Sequence, residues 1–168
     1  MGSIDKINQL TNNDFTSIFG NVFEKSVWIT EKVYKLKPFN DLNELSLKFM
    51  HCFENETKIN LLEILNLHPE LAVEKIMTKE SEKEQRNAQL DQCSKEELLE
   101  FLKLNKDYKN KFNFPFIIAV ANKDKFEILE NFRSRIKNNQ DIEYEEAKNQ
   151  VKKIASIRLK NIYKDLFL

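Results

Sequence analysis

A chain of 168 residues has room for one domain with a substantial core, because domains cluster at roughly 100 to 150 residues. A hydrophobic fraction of 41% with 13 Phe, beside 32% charged residues, excludes a disordered or membrane-embedded chain and describes a soluble globular one. Lysine plus arginine (27) balances aspartate plus glutamate (27), so no net field draws the chain to nucleic acid or to an anionic membrane, and neither is expected as a partner.

The first residues, Met1 to Asn12, carry no long apolar stretch after a basic start, and nothing later approaches the roughly 20 apolar residues of a membrane span. The C-terminal Asp165-Leu166-Phe167-Leu168 is not the Ser-Lys-Leu peroxisomal address, which leaves a cytoplasmic setting as the expectation. The two glycines both precede position 21, so the glycine-rich turns of phosphate loops and dinucleotide folds cannot be built. Cys52 and Cys93 lack the neighbouring cysteines that a zinc site or disulfide framework needs; they read as reduced, buried small hydrophobes, and no metal is expected.

Helical periodicity fills the intervals between Pro38, Pro69 and Pro115. Leu42, Leu45, Phe49, Met50 and Phe53 recur at helical steps after Asp41, which with Glu44 has capping-box spacing. A short apolar helix over Asn60 to Leu67 must end before Pro69, placing His68 at its terminus. Ser81 and Glu84 again match a capping box at a helix start. Ser94 with Glu97 opens a helix carried by Leu98, Phe101, Leu102, Asn105, Tyr108 and Phe112. The apolar run Phe116-Ile117-Ile118-Ala119-Val120-Ala121 fits a buried strand or a buried helix equally by period, and its helical neighbours make helix the expectation. Phe126, Leu129, Phe132 and Ile136 predict one face of a further helix, and Ala147, Val151, Ile154, Ile157 and Arg158 lie along a long last one after Asp141. The fold class is therefore all-α: a single-domain compact bundle of about eight or nine helices over residues 1–168.

Imidazole chemistry falls to two histidines. His51, inside a helix, reads as a surface or partly packed residue. His68 sits on an irregular turn where side chains can converge on a ligand, although capping the last carbonyls of its own helix explains it as well. The Ser81 to Gln85 stretch pairs a carboxylate with an amide near exposed backbone donors; it suits an anionic or ureido ligand, or it serves only as a cap. Arg158 shares an apolar stripe with Val151, Ile154 and Ile162, which implies an anionic partner, either an internal carboxylate or a substrate.

Six segments, taken in order, resemble the 2-oxo-4-hydroxy-4-carboxy-5-ureidoimidazoline (OHCU) decarboxylase family over nearly the whole chain. Phe19 to Trp28 resembles its N-terminal signature, Lys37-Pro38-Phe39 its Arg-Pro-Phe element, and His68-Pro69-Glu70-Leu71 its catalytic His-Pro-Asp-Leu. Ser81 to Gln85, followed by Ala88 and Leu90, is similar to its Ser-x-x-Glu-Gln element. Asn105, Tyr108 and Lys111 to Phe116 resemble its Asn-x-x-Tyr and Lys-Phe-Gly-Phe-Pro-Phe, and Ile154 to Leu159 its Ile-x-x-x-Arg-Leu. Val27 replaces a proline, and Asn113 and Gln89 each replace a glycine; the segment from His68 to Ser81 is shorter than in bacterial members.

The resemblance implies a cofactor-free decarboxylation of OHCU, a small-molecule substrate, to (S)-allantoin in urate breakdown. By the same analogy His68 is the principal acid or base and Glu84 a second catalytic residue that holds substrate nitrogens. Pro69, Ser81, Gln85 and Arg158 contact substrate, and the backbone of Phe116, Ile117, Ile118, Ala119 and Val120 completes the pocket. A homodimer is implied by the family alone. The alternative is a catalytically inactive helical interaction module on the same scaffold.

Overall fold

The structure, a computed structural model, describes residues 2–73 and 77–168. Among these the chain is all-α as expected, with nine α-helices, one short 3-10 turn at Leu90–Gln92 and no strand. Residues 74–76, within the segment expected to be shortened, lie outside the described residues. The chain gathers into two compact units, Met1–Ile64 with Lys152–Leu168, and Leu65–Val151. Two helices, α5 (Lys58–Leu67) and α9 (Gln140–Phe167), supply residues to both.

The first unit contains α1 (Ser3–Gln9), α2 (Asn12–Phe19), α3 (Val27–Tyr34) and α4 (Leu42–Glu54). Side chains that accept from otherwise orphaned amides set where these helices begin. Thr11 accepts from the Asp14 amide to open α2, and Asp41 Oδ1 accepts from the Glu44 amide at 2.7 Å to open α4. Glu44 reaches back to the Asn40 amide instead of that of Asp41, so the capping box is displaced by one residue. Phenylalanines supply the core: Phe15, Phe19, Phe23, Phe49 and Phe53 are buried, and the Phe23 and Phe53 rings lie nearly parallel with centroids 4.8 Å apart.

The second unit contains α6 (Lys79–Asn87), α7 (Lys95–Phe112) and α8 (Lys125–Arg135). Full capping boxes open α7 at Ser94 with Glu97 and α8 at Asp124 with Glu127. Its core is also aromatic. Phe116 stacks on Phe132 with centroids 3.9 Å apart, and Tyr108 meets both rings edge-on.

The expected boundaries and burial change at five places, one of them on α7, where Leu98 and Leu102 are exposed and the buried face runs through Phe101, Asn105, Tyr108 and Phe112. Phe116 to Ala121 forms no helix: α7 has already ended at Phe112 with Asn113 in left-handed geometry, and the backbone of the run bonds to side chains of other helices. Helix α6 starts one turn before Ser81, because Thr78 is the cap and its hydroxyl accepts from the Ser81 amide. Phe126, in the first turn of α8, is exposed beside Lys125, and the buried face runs through Ile128, Leu129, Phe132 and Arg135. Cys52 and Cys93 are free thiols but only half-buried, although burial still raises the pKa of both.

The position of the α6 cap can be checked directly. Thr78→Ala is expected to cost about 1 kcal/mol of stability, the usual worth of a hydroxyl cap, read as a lowered urea midpoint with unchanged slope. Wild-type stability would place the helix start elsewhere.

Candidate active site

His68 follows the last residue of α5 and is 7% exposed, so its imidazole lies within the protein and not out in solvent. Its amide closes the helix on the Leu65 carbonyl at 3.3 Å. Beyond it the chain turns through Pro69, Glu70, Leu71 and Ala72, with Ala72 in left-handed backbone geometry at φ 55°. Such a turn needs outside support, because a non-glycine residue there costs on the order of 1 kcal/mol or more.

Two amide side chains provide that support. Gln85 Oε1 accepts from the Ala72 amide at 3.1 Å while its Nε2 donates to the Glu70 carbonyl at 3.2 Å. Asn105 Nδ2 donates to the Leu71 carbonyl at 2.9 Å. Gln85 is therefore occupied in tying α6 to the turn beside His68. The spacing along α6 explains this: Ser81 and Gln85, four residues apart, share its buried face, whereas Glu84 is half-buried one position away.

The run Phe116 to Val120 is buried throughout, yet no backbone–backbone hydrogen bond reaches Phe116 to Ala119 among the described residues. Arg135 Nη1 donates to the Ile117 carbonyl at 2.7 Å, and Gln150 Oε1 accepts from the Ala119 amide at 2.9 Å. Arg135 is itself held by Glu143 Oε1, through Nε at 2.9 Å and Nη2 at 2.6 Å. The Tyr108 hydroxyl donates to that same oxygen, and Asn138 donates to Oε2 at 2.8 Å. Burial, then the hydrogen bond to Glu143, pushes the Tyr108 phenol far above its ordinary pKa, so it remains a donor. At the entrance to this run, Asn66 from α5 donates to the Asn113 carbonyl at 3.2 Å. The second unit thus joins the end of α5 next to His68 to the start of the buried run.

Arg158 lies in the first unit and is 4% exposed. The anionic partner its setting implied is Glu24, fully buried, whose Oε2 is 3.0 Å from Arg158 Nη1. The same nitrogen donates to the Asn21 carbonyl at 2.8 Å. Gly20 precedes that carbonyl, and a Cβ there would lie 2.4 Å from the Thr16 carbonyl oxygen, which explains the glycine in the Phe19 to Trp28 segment. His51 is exposed beside Asn55. Among the described residues no group of three or more His, Cys, Asp or Glu side chains is placed to hold a metal ion. None of their helices is long and apolar enough to cross a membrane.

Sequence reasoning did not single out Glu24, Arg135, Glu143 or Gln150. Glu24 carried a signal, a carboxylate directly after the apolar pair Val22-Phe23; the other three look like ordinary charged or amide positions on solvated helix faces.

The family model described as OHCU decarboxylase matches residues 8–160. The chain belongs to the OHCU decarboxylase family. It is 31% identical over 157 residues to the 2-oxo-4-hydroxy-4-carboxy-5-ureidoimidazoline decarboxylase of Haloferax volcanii, covering 94% of each chain. It is 32% identical over 98% of its length to the uric acid degradation bifunctional protein of a Bacillus species, and spans only 33% of that protein. Its fold matches the crystal structure of (S)-allantoin synthase with a TM-score of 0.77 at 24% identity, over 95% of this chain and 53% of that one.

Membership places the Arg158 stripe and the N-terminal signature, far apart in sequence, in one family pattern, and the Glu24 contact gives that pairing a physical basis. Removing one member of a buried ion pair leaves the other charge uncompensated. Glu24→Ala is expected to lower unfolding stability by about 3–5 kcal/mol in chemical denaturation. A loss under 1 kcal/mol would mean that Arg158 is not held by this carboxylate.

Proposed function

We propose that this chain decarboxylates OHCU to (S)-allantoin without a cofactor, as part of urate breakdown. The reading is supported by family membership over residues 8–160, by the names carried by its relatives, and above all by one observation. A buried histidine, His68, sits on a turn fixed by two side-chain amides, the setting of a group held in place for chemistry.

The chemistry follows from the substrate's own structure. One ring carbon bears both hydroxyl and carboxylate, and the imidazoline ring has an adjacent C=N bond. When the bond to the carboxylate breaks, carbon dioxide leaves and the electron pair moves into the ring toward that nitrogen. The ring then takes up two protons, one on that nitrogen and one on the former C=N carbon, while the hydroxyl gives up one and becomes a carbonyl, so that on balance one proton takes the place of the carboxylate. The ring is its own electron sink, so the protein has to orient it and move protons.

His68 is the acid or base for these transfers, and Glu84 holds ureido or ring nitrogens as an acceptor. Arg158, fixed by Glu24, orients an anionic or carbonyl group of the substrate. Ser81, Gln85 and Pro69 shape the wall beside His68, and the backbone of Phe116 to Val120 lines the other side. Proton delivery to one face yields a single enantiomer. The reading extends to a homodimer working in the cytoplasm, for which the family resemblance is the support.

Freshly prepared OHCU, followed by circular dichroism for optically active allantoin above the spontaneous background, tests the activity. His68→Ala is expected to reduce kcat/KM by at least about a hundredfold with its melting temperature preserved, since a positioned acid or base contributes roughly 10²–10⁴. Full turnover in that variant would remove His68 from the mechanism. Racemic product at the background rate from the wild-type chain would favour the inactive-module reading.

A further inference from the structure

Buried irregular backbone needs an external reason to hold its shape, and in the second unit two side chains supply it. Arg135 grips the carbonyl of Ile117 and Gln150 grips the amide of Ala119, two residues on. Each is itself fixed. Arg135 is braced by Glu143 with Tyr108 behind it and stands over the Phe116 ring, its guanidinium carbon 4.4 Å from the ring centroid. Gln150 Nε2 donates to Glu146 Oε1 at 2.6 Å, one turn earlier on α9, which orients its oxygen toward Ala119.

The Ile117 carbonyl and the Ala119 amide bond to side chains, while the peptide groups of Ile118 between them, like those of Phe116 before the clamp, meet no partner among the described residues. Buried peptide groups are rarely left in that condition, since each costs roughly 1–3 kcal/mol. A clamp on either side of an available peptide group is the arrangement expected of a pre-set ligand cradle.

We propose that Gln150 and Arg135 are positioning residues for the decarboxylation: they touch no substrate, and they fix the Phe116 to Val120 backbone so that the Ile118 peptide groups meet the ring. This rests on the functional reading above. Of the two, Gln150 gives the cleaner experiment, because Arg135 also carries the charge balance of Glu143.

Gln150→Met keeps the volume and removes the acceptor for the Ala119 amide. Its kcat/KM for OHCU is expected to fall roughly ten- to a hundredfold, the scale of a small displacement in a binding segment, beside the lowered melting temperature that an unpaired Ala119 amide brings in any case. The double variant Glu146→Gln with Gln150→Glu exchanges donor and acceptor while keeping both bonds, and should restore most of that loss. A merely structural Gln150 would lower the melting temperature and leave the kinetics of the folded enzyme at wild-type values, overturning the proposal. So would a kinetic loss that the exchanged pair does not recover. If Gln150→Met fails to fold, Gln150→Asn, which withdraws the carbonyl by one methylene, is read by the same outcomes. An active wild type with an indifferent Gln150 variant overturns this role alone, whereas a wild type inert toward OHCU overturns the functional reading and this role together.

Discussion

The second unit depends on one fully buried carboxylate. Glu143 collects Tyr108 from α7, Arg135 from α8 and Asn138 from the turn before α9, and through Arg135 it reaches the backbone at Ile117. Without Glu143, Arg135 would be a nearly buried cation facing a solvation penalty of several kcal/mol. Without Arg135, the Ile117 carbonyl would lose its partner in an apolar core. The aromatic stack of Phe116 on Phe132 supplies burial energy, but stacking is tolerant of small displacements. The charged network gives this part of the chain a defined register.

The first unit repeats the device with different residues. Glu24 and Arg158 form a buried pair, and Arg158 also donates to a backbone carbonyl, that of Asn21, in the turn between α2 and α3. In both units a guanidinium bridges a buried carboxylate and an irregular stretch of main chain. Buried pairs of this kind add little net stability compared with apolar packing. Here each occurs where backbone outside a helix has to be held in one conformation. One of these stretches lies in the Phe19 to Trp28 segment that resembles the family's N-terminal signature, and the other directly follows the Lys111 to Phe116 segment.

The features legible in the sequence were those governed by neighbours along the chain. Asp41, Ser94 and the stop before Pro69 act within four residues, and the structure has them in their expected roles. Ser81 satisfied the same local rule but lost to Thr78, a competing cap three residues earlier, because any of several small polar residues can open a helix and tertiary packing selects one. The conformation of Phe116 to Val120 was not legible at all. Its backbone partners are side chains 18 and 31 positions away, so no window on the segment itself contains the information. Arg158 falls between these cases: its place on an apolar stripe announced a buried anion, but the choice of Glu24 depends on how α9 meets the turn after α2. The likeness to a family supplied the roles proposed for His68, Glu84 and Gln85, and the fold adds that Gln85 is bonded to backbone.

Gln89 and Asn113, which stand where the resemblance to the family expects glycine, both hold a left-handed backbone, at φ 61° and 64°. No glycine in the chain has a positive φ, whereas Lys25, Ala72 and Asn122 share this geometry with them. A side chain at such a torsion penalises the native state by roughly 1 kcal/mol, less for asparagine. It also restricts the unfolded ensemble, which a glycine would have enlarged. The strain outweighs that gain at a residue such as Gln89 and is smallest at Asn113, so these torsions stand only where the contacts around them hold the main chain in place. Such corners are therefore set by the packing that surrounds them more than by the residue that occupies them.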